Sequence, residues 1–457
     1  MLTRDRKFYR TFSVLCLTLM LEQAAILSVN LADNIMLGRY AEDSLTGVVA
    51  VNQIQFVLQQ VVYAISNGMI ILGSQYWGQH RTAEIRKLSS IAMRLTLLIV
   101  IALFLVVSFF PQQVLGIFTT DSAIISEGVR YLEILRFSYL FFGISAVLLG
   151  TMRVAESVQI ALGVSILSLL LNCGINYVLI FGHLGAPELG VRGAAIGTLV
   201  ARIVECLIFI WFAFVRDRRI GLKLPDFLHI DRSMMCDFLR VATPVILTQT
   251  LWGVSNALQA VILGHMSSTA IAAQSISSNV FQLLKVTSVG AASAASIIIG
   301  KTIGEGGDLR RIREYSRTLQ VMFICIGLVL GAAMFVIRIP LLRIYNKISL
   351  DTRTLANTYM LIQSLVLVTM SYQMPVNGGI IRGGGDTKFI MFVDLISIWG
   401  IVLPLSFLAA FVWNLSLVVV LLLLNSDQIF KCIPAFIRVN SYRWVRRLTR
   451  PEGSAAA

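Results

Sequence analysis

The feature that most restricts the fold of this chain is a series of long apolar stretches separated by short polar breaks. An α-helix needs about 20 apolar residues to cross the hydrocarbon core of a bilayer. We therefore predict an all-α integral membrane protein with twelve transmembrane helices, at residues 11–36, 47–75, 88–110, 129–151, 158–181, 192–214, 239–263, 270–299, 317–338, 354–378, 387–411 and 414–436. The stretches do not alternate in polarity, which excludes a transmembrane β-barrel with its alternating strands of about ten residues.

The charged residues indicate the orientation of these helices. Only 14% of the residues are charged, against about 25% in soluble domains. The Lys and Arg residues fall mainly in every second break and in both termini, with the segment 338–353 as the main exception. By the positive-inside rule, both termini are expected in the cytoplasm. The net charge of +14 therefore reflects membrane topology, and no base-reading module indicates nucleic-acid binding.

An internal repeat divides the chain into two halves. A shift of 226 residues aligns five identical pairs without a gap: Gln23 with Gln249, Asn30 with Asn256, Leu37 with Leu263, Gly38 with Gly264 and Gly78 with Gly304. Six spans per half make the repeats parallel, as in transporters that rock two lobes about a central site. We predict an amino-terminal six-helix lobe at 1–215, a cytoplasmic linker at 216–237, a carboxy-terminal six-helix lobe at 238–437 and a basic cytoplasmic tail at 438–457.

Asp33 is the most informative residue of the first span. It lies in the stretch Ala24–Gly38, and a carboxylate within a membrane-spanning helix is costly and usually functional. The alternative is that Asp33 lies at the outer end of the helix, in water. Asn172, Asn176 and Thr198 offer neutral oxygens in the fifth and sixth spans. Together with one carboxylate, these groups suit a proton or a hard monovalent cation.

Polar side chains within the other spans indicate a wet cavity between the two halves, because they cannot all face lipid. The candidates for a substrate cavity are Gln53, Tyr63, Asn256, Asn279, Gln282 and Lys285. Hydrogen bonding between helices is the alternative for about half of such residues. Lys285 either neutralises a nearby carboxylate or extends toward the membrane surface. The pair Arg202 and Glu205 is expected to be a structural ion pair near the cytoplasmic end of its span.

Other chemistries find little support in the sequence. No HExxH, P-loop or serine-centred motif is present, so we predict neither an enzyme nor a resident metal or cofactor. The six cysteines are scattered without a CxxC pair, and no disulfide is expected.

Several motifs together resemble the MATE (multidrug and toxic compound extrusion) family, within the wider group of multidrug, oligosaccharide-lipid and polysaccharide exporters. They are NLADNIMLGRY, GSQYWGQHR, NYVLIFG followed by GVRGAAIGTLVAR, ATPVILTQTLW and IIRGGGDTKF, in family order over about residues 8–440. The resemblance implies a V-shaped pair of six-helix lobes in a bacterial cytoplasmic membrane. It also implies a monomeric antiporter that exports small organic, often cationic, substrates in exchange for bound Na⁺ or H⁺.

The resemblance also implies roles for individual residues. Asp33 matches the amino-lobe acid of the family, and Asn172 and Thr198 match its partners. Asn176 stands where many members of one subgroup have aspartate. Trp252 and Ser371 stand where another subgroup has carboxy-lobe carboxylates, which leaves Asp33 as the expected coupling group.

Three other functions stay open at this point. A lipid-linked precursor flippase of the same superfamily would need a strongly cationic groove, for which the spans offer mainly Lys285. A membrane-embedded transferase would need a cluster of His or Asp at one interface, and none is evident. A receptor or scaffold would show no ion flux stimulated by substrate.

Overall fold

A computed structural model describes residues 2–40, 42–117, 121–227, 231–266, 268–344 and 350–450, and every regular element within these ranges is helical. The first half contains α1 (Arg6–Tyr40), α2 (Glu42–Gly78), α3 (Thr82–Phe109), α4 (Pro111–Leu115), α5 (Ser122–Leu135), α6 (Ser138–Val154), α7 (Val158–Phe181) and α8 (Val191–Trp211). The second half contains α9 (Arg232–Met266), α10 (Ser268–Gly304), α11 (Leu309–Ile344), α12 (Leu350–Pro375), α13 (Thr387–Asp394), α14 (Leu403–Phe407), α15 (Leu417–Asn425), α16 (Asp427–Phe430) and α17 (Cys432–Ser441).

The predicted number of membrane spans is confirmed. Within the described ranges, eleven helical segments are long and apolar enough to cross a membrane, and the bent pair α5 and α6 forms a twelfth when taken as one span. Several of these segments join consecutive helices through π-helical turns, at Val376–Ile381, Leu395–Val402 and Leu408–Val412. The all-α membrane architecture therefore follows from the apolar stretches alone.

The fourth span differs from the single helix expected at 129–151. The chain bends by 53° between α5 and α6. At the bend, the N–H of Phe137 donates to the carbonyl of Ile134 and that of Tyr139 to the carbonyl of Arg136, both at 3.3 Å. These bonds close tighter turns than those of an α-helix. No proline or glycine lies between residues 133 and 140, so the sequence carries no signal for the break.

Contacts group the chain into two compact units. One unit comprises Leu21–Ala242, and the other comprises Met1–Met20 together with Thr243–Ser454. In the second unit, the Tyr315 hydroxyl donates to Asp5 Oδ2 at 2.9 Å, and the Phe8 and Tyr315 rings lie 4.3 Å apart. The sequence-based boundaries assign all of 1–215 to the first lobe. The contact grouping instead divides α1 after Met20.

Close packing of α7 against α8 positions the candidate site of the unit Leu21–Ala242. A Cβ atom added to Gly193 of α8 would lie 2.6 Å from the carbonyl oxygen of Leu179 on α7. Small residues of this kind let transmembrane helices approach closely. On the other side, α8 packs with α2, α5 and α6 around a buried core that includes Val51, Leu132 and Ala194. Side chains on the facing surfaces of α7 and α8 are therefore within contact distance.

Glycines also let two helices approach closely in the unit that contains Thr243–Ser454. A Cβ atom at Gly327 of α11 would be 2.8 Å from the carbonyl oxygen of Val368, and one at Gly331 would be 2.7 Å from that of Ser364. Both oxygens belong to α12. The glycines therefore let α11 and α12 pack with their backbones almost in contact.

Candidate functional site

The four residues predicted as the coupling site lie together on α1, α7 and α8. Asn176 Nδ2 donates to Asp33 Oδ1 at 2.5 Å and lies 3.3 Å from Asn172 Oδ1. Asn172 Nδ2 donates to Thr198 Oγ1 at 3.2 Å. The side chain of Asp33 is only 7% exposed. Asp33 is thus a buried group, and not a carboxylate exposed to water at the helix end.

One acceptor in this cluster has no hydrogen-bond donor. Asn176 Oδ1 is buried and unpaired in the described part of the chain. It faces Gly197 of α8, where a Cβ atom would be 2.1 Å away. Carboxylate, amide and hydroxyl oxygens are the ligands that hard cations prefer. The oxygen atoms of this cluster therefore suit a bound proton on Asp33 or a small monovalent cation.

A narrow cleft opens beside Asp33, with about 540 Å³ of empty space including its mouth. Its walls are mostly polar and consist of Ile26, Val29, Asn30, Asp33, Asn52, Gln55, Tyr131, Ser165, Ser168, Asn172, Thr198, Ala201, Arg202 and Glu205. A polar cleft within membrane-spanning helices must be hydrated, because unpaired polar groups cannot face hydrocarbon. The cleft therefore gives water and ions a route to Asp33.

The expected ion pair of Arg202 and Glu205 is formed, at 2.9 Å. The Ser168 hydroxyl also donates to Glu205, at 3.3 Å. Because both charged residues line the cleft with Asp33, the pair belongs to the surroundings of the acid. The cleft contains two carboxylates and one guanidinium, so its walls carry one negative charge in excess when Asp33 is ionised.

A second ion pair in this unit was not found by sequence reasoning. Glu22 of α1 is fully buried, and its carboxylate accepts from Arg153 NH2 at 2.5 Å. These residues are 131 positions apart, so no local spacing could predict their contact. The only signal in the sequence was the presence of a second acid within the first apolar stretch.

The predicted substrate-cavity residues of the first half are in different environments. Gln53 is exposed. Tyr63 packs against the hydrophobic core, with its ring 5.6 Å from that of Phe142 at an angle of 79°. The role of either residue in a substrate cavity stays a prediction, and the described contacts of the half-buried Tyr63 are with this core.

In the second half, Asn256, Asn279 and Gln282 are exposed. Lys285 is half-buried, with Nζ 4.9 Å from the centre of the Trp252 ring. Within the described ranges it forms no salt bridge, but the charge of Asp427 acts on it over a longer distance, so the interpretation of Lys285 as a cation that neutralises a nearby carboxylate stays a prediction. Its ammonium also makes a cation–π interaction with Trp252.

Two carboxylates of the second half, the buried Asp427 and the half-buried Asp394, lie at places that the sequence analysis did not identify. Lys431 Nζ is 2.8 Å from Asp394 Oδ1 and 3.3 Å from Asp427 Oδ2. Ser371, which the resemblance to the MATE family places where one subgroup has an acid, shares a 2.9 Å hydrogen bond with Ser288. Lys431 follows Asp427 by four residues, a helical spacing that could have indicated part of this cluster.

Two further observations limit the chemistry. Among the described residues, no group of three or more His, Cys, Asp or Glu side chains could hold a metal ion. A wider groove of about 1,280 Å³ lies between α11, α12 and α17, but its walls are mainly apolar. Binding sites need a few convergent polar groups, and the Asp33 cleft has them.

Comparison with known proteins decides the family. The MatE family model matches residues 19–178 and 244–408, which together make up well over half of the chain. The chain belongs to the MatE family. This assignment confirms the resemblance drawn from the motifs, and the chain is therefore an integral membrane transporter of the multidrug efflux type and not a member of an enzyme family.

Relatives of this MatE protein cover nearly its whole length. An uncharacterized transporter, YisQ, from Bacillus subtilis is 23% identical over 96% of this chain and 96% of its own. A probable multidrug resistance protein, NorM, from Thermotoga maritima is 26% identical over 95% of this chain and 93% of its own.

Solved structures support the same fold. An outward-facing multidrug resistance MATE transporter superposes with a TM-score of 0.84 at 16% identity, over 96% of this chain and 99% of its own. A transporter of the same superfamily from Pyrococcus furiosus superposes with a TM-score of 0.86 at 16% identity, over 96% and 98%.

Proposed function

We propose that this MatE protein is a secondary antiporter that exports small organic, often cationic, compounds in exchange for H⁺ or Na⁺. The observation that carries the proposal is the buried Asp33, hydrogen-bonded to Asn176 at 2.5 Å beside a polar cleft. A buried acid of this kind is a functional site by default in a membrane protein. Asn172, Asn176 and Thr198 complete the coupling site.

The exchange works through the charge of Asp33. Ionised Asp33 accepts from Asn176, and the uptake of a proton or Na⁺ removes the excess negative charge of the cleft. The change in charge alters the interactions between α1, α7 and α8, and the two repeated lobes then rock between inward-open and outward-open states. One charge that moves through 100 mV supplies about 2.3 kcal/mol, which is enough to drive about a 50-fold gradient of substrate.

The setting of the exchange is a bacterial cytoplasmic membrane. Bacterial relatives cover nearly the whole chain, and the distribution of Lys and Arg supports cytoplasmic termini. The protein acts as a monomer among membrane lipids, with Gln53, Asn256, Asn279, Gln282 and Lys285 in contact with the substrate path.

The test is export from proteoliposomes in which a Na⁺ gradient and a pH gradient are imposed separately. We expect one of the two gradients to drive the release of a cationic dye, and substrate to stimulate the matching ion flux. Export with neither gradient, or the flipping of lipid headgroups in the same vesicles without dye export, would refute antiport and favour the flippase.

A further inference from the structure

The interior of the second half carries more positive than negative charge. Lys431 is bound by both Asp394 and Asp427. Asp427 Oδ2 also accepts a hydrogen bond from Gln428 Nε2 at 2.6 Å. The two carboxylates are thus already engaged. Lys285 and Arg382 form no salt bridge or hydrogen bond in the described ranges, although the charges of Asp427 and Asp394 act on them over longer distances, and Arg382 Nε is buried.

The internal repeat shows that this charge is particular to the second half. Arg153 pairs with Glu22 in the first half, and Arg382 is its repeat-related residue, because the offset between the two halves changes from 226 to 229 in this later part of the repeat. Thr248 stands at the place of Glu22, and its hydroxyl donates to the carbonyl of Pro244 at 2.8 Å. Gln59 stands at the place of Lys285. The second half has therefore gained one cation and lost one acid relative to the first.

Lys285 is the cation of this group that a solute can reach. It is half-buried, and Gln282, one helical turn earlier on α10, is exposed, as is Asn279. Across on α9, Asn256 is exposed and donates to the carbonyl of Trp252 at 2.9 Å. Polar side chains within membrane-spanning segments almost always face the interior of the bundle or a water-filled cavity. We therefore expect the Lys285 ammonium to border water.

We propose that Lys285 and Trp252 form a binding site for the carboxylate of an aromatic substrate. The Lys285 ammonium, which forms no salt bridge in the described ranges, provides a charge-assisted hydrogen bond to the oxyanion. The Trp252 ring, 4.9 Å from Nζ, provides an apolar surface for the adjacent aromatic group. The exposed amides of Asn256 and Gln282 supply further donors. This site therefore selects zwitterionic or anionic substrates, which the protein exports in addition to simple cations.

This inference names a substrate class for the export function proposed above and rests on it. The test uses two fluorescent probes that differ only in the group concerned, rhodamine B with its free carboxylate and rhodamine B ethyl ester. Their affinities for the purified full-length protein in a neutral detergent are measured by fluorescence polarisation. We expect the carboxylate to bind at least about tenfold more tightly than the ester, the scale of one charge-assisted hydrogen bond.

Two variants separate a binding role from a structural one. Lys285→Gln, which introduces the residue of the repeat-related position, should remove the preference for the carboxylate and leave the affinity for the ester unchanged. Lys285→Arg should retain the preference. Unchanged binding of the ester also shows that the Gln variant is folded. A preference that persists in Lys285→Gln, or its absence from the wild-type protein, would overturn the proposal.

An anionic lipid headgroup could satisfy the same charge. If phosphatidylglycerol added to the detergent abolishes the carboxylate preference, the site belongs to lipid and the proposal is wrong. Failure of ion-driven export with an intact carboxylate preference would refute the antiport and leave this site standing. Ion-driven export without any such preference would refute the carboxylate site and leave the antiport standing, and failure of both probes to bind would contradict the carboxylate site.

Discussion

Gly197 of α8 lies directly against the side-chain oxygen of Asn176 on α7. A Cβ atom at Gly197 would be 2.1 Å from Asn176 Oδ1, so no side chain fits there unless the amide moves. The same amide donates to Asp33 at 2.5 Å. Gly197 is therefore a positioning residue for the proposed coupling site, although it touches neither ion nor substrate.

We expect Gly197→Ala to reduce ion-driven export about tenfold. Overpacking of this kind costs about 1–3 kcal/mol, and 1.4 kcal/mol corresponds to a factor of ten. The displaced amide would no longer hold Asp33. The control is Gly174→Ala on α7, where a Cβ atom would meet nothing within 4 Å. Export rates in proteoliposomes compare the two variants, and equal rates would refute the positioning role.

Removal of one partner of the Glu22–Arg153 pair should destabilise its unit strongly. Both side chains are buried, and removal of one partner from a buried ion pair costs about 3–5 kcal/mol because the other charge stays unpaired. We expect Glu22→Gln to lower the thermal midpoint in detergent markedly. The matched control is Glu133→Gln, because Glu133 is 3.8 Å from Arg192 and both side chains are more than half exposed. Such a surface pair contributes about 0–1 kcal/mol. A similar decrease of the thermal midpoint in Glu22→Gln and Glu133→Gln would contradict the expectation.

Asp231, directly before α9, caps the start of that helix. Its Oδ1 accepts from the backbone N–H of Met234 at 3.0 Å and from the Ser233 hydroxyl at 2.8 Å. Removal of such a cap costs about 0.5–2 kcal/mol. We expect Asp231→Ala to accelerate amide hydrogen exchange in the first turn of α9, and Asp231→Asn, which keeps an acceptor, to do so much less. Equal exchange in both variants would argue against capping.

The same cap gives a dependence on pH. The Met234 N–H bond, assisted by Ser233 and Lys87, lowers the pKa of Asp231 to about 2 against the opposing effect of partial burial. Its value in an unfolded chain is about 3.9. Because the folded pKa is the lower one, the cap stabilises α9 fully above about pH 4 and loses this effect as the pH falls toward 2. Protection of the first turn of α9 should decline over that window in the wild-type protein and stay flat in Asp231→Ala.

The fold could be predicted from the sequence because each span is a local property of about 20 residues. The break between Leu135 and Ser138 could not be predicted, because it depends on two tightened turns and no proline or glycine in the sequence indicates them. In the candidate site, Asp33 was identifiable by the cost of an acid in an apolar stretch. Two contacts were not identifiable from the sequence, namely Glu22–Arg153 and Asp394–Lys431. Each joins residues far apart in the sequence, and only tertiary packing brings them together.

The most direct test of the account is ion-driven export by Asp33→Asn. The substitution keeps the size of the side chain and removes its charge, so it cannot exchange a proton or Na⁺. We predict that the variant binds the dye but loses export under either gradient. Asp217→Asn in the linker, where the carboxylate accepts from the N–H of Arg219 at 3.0 Å, should export like the wild-type protein. Undiminished ion-driven export by Asp33→Asn would contradict the central claim.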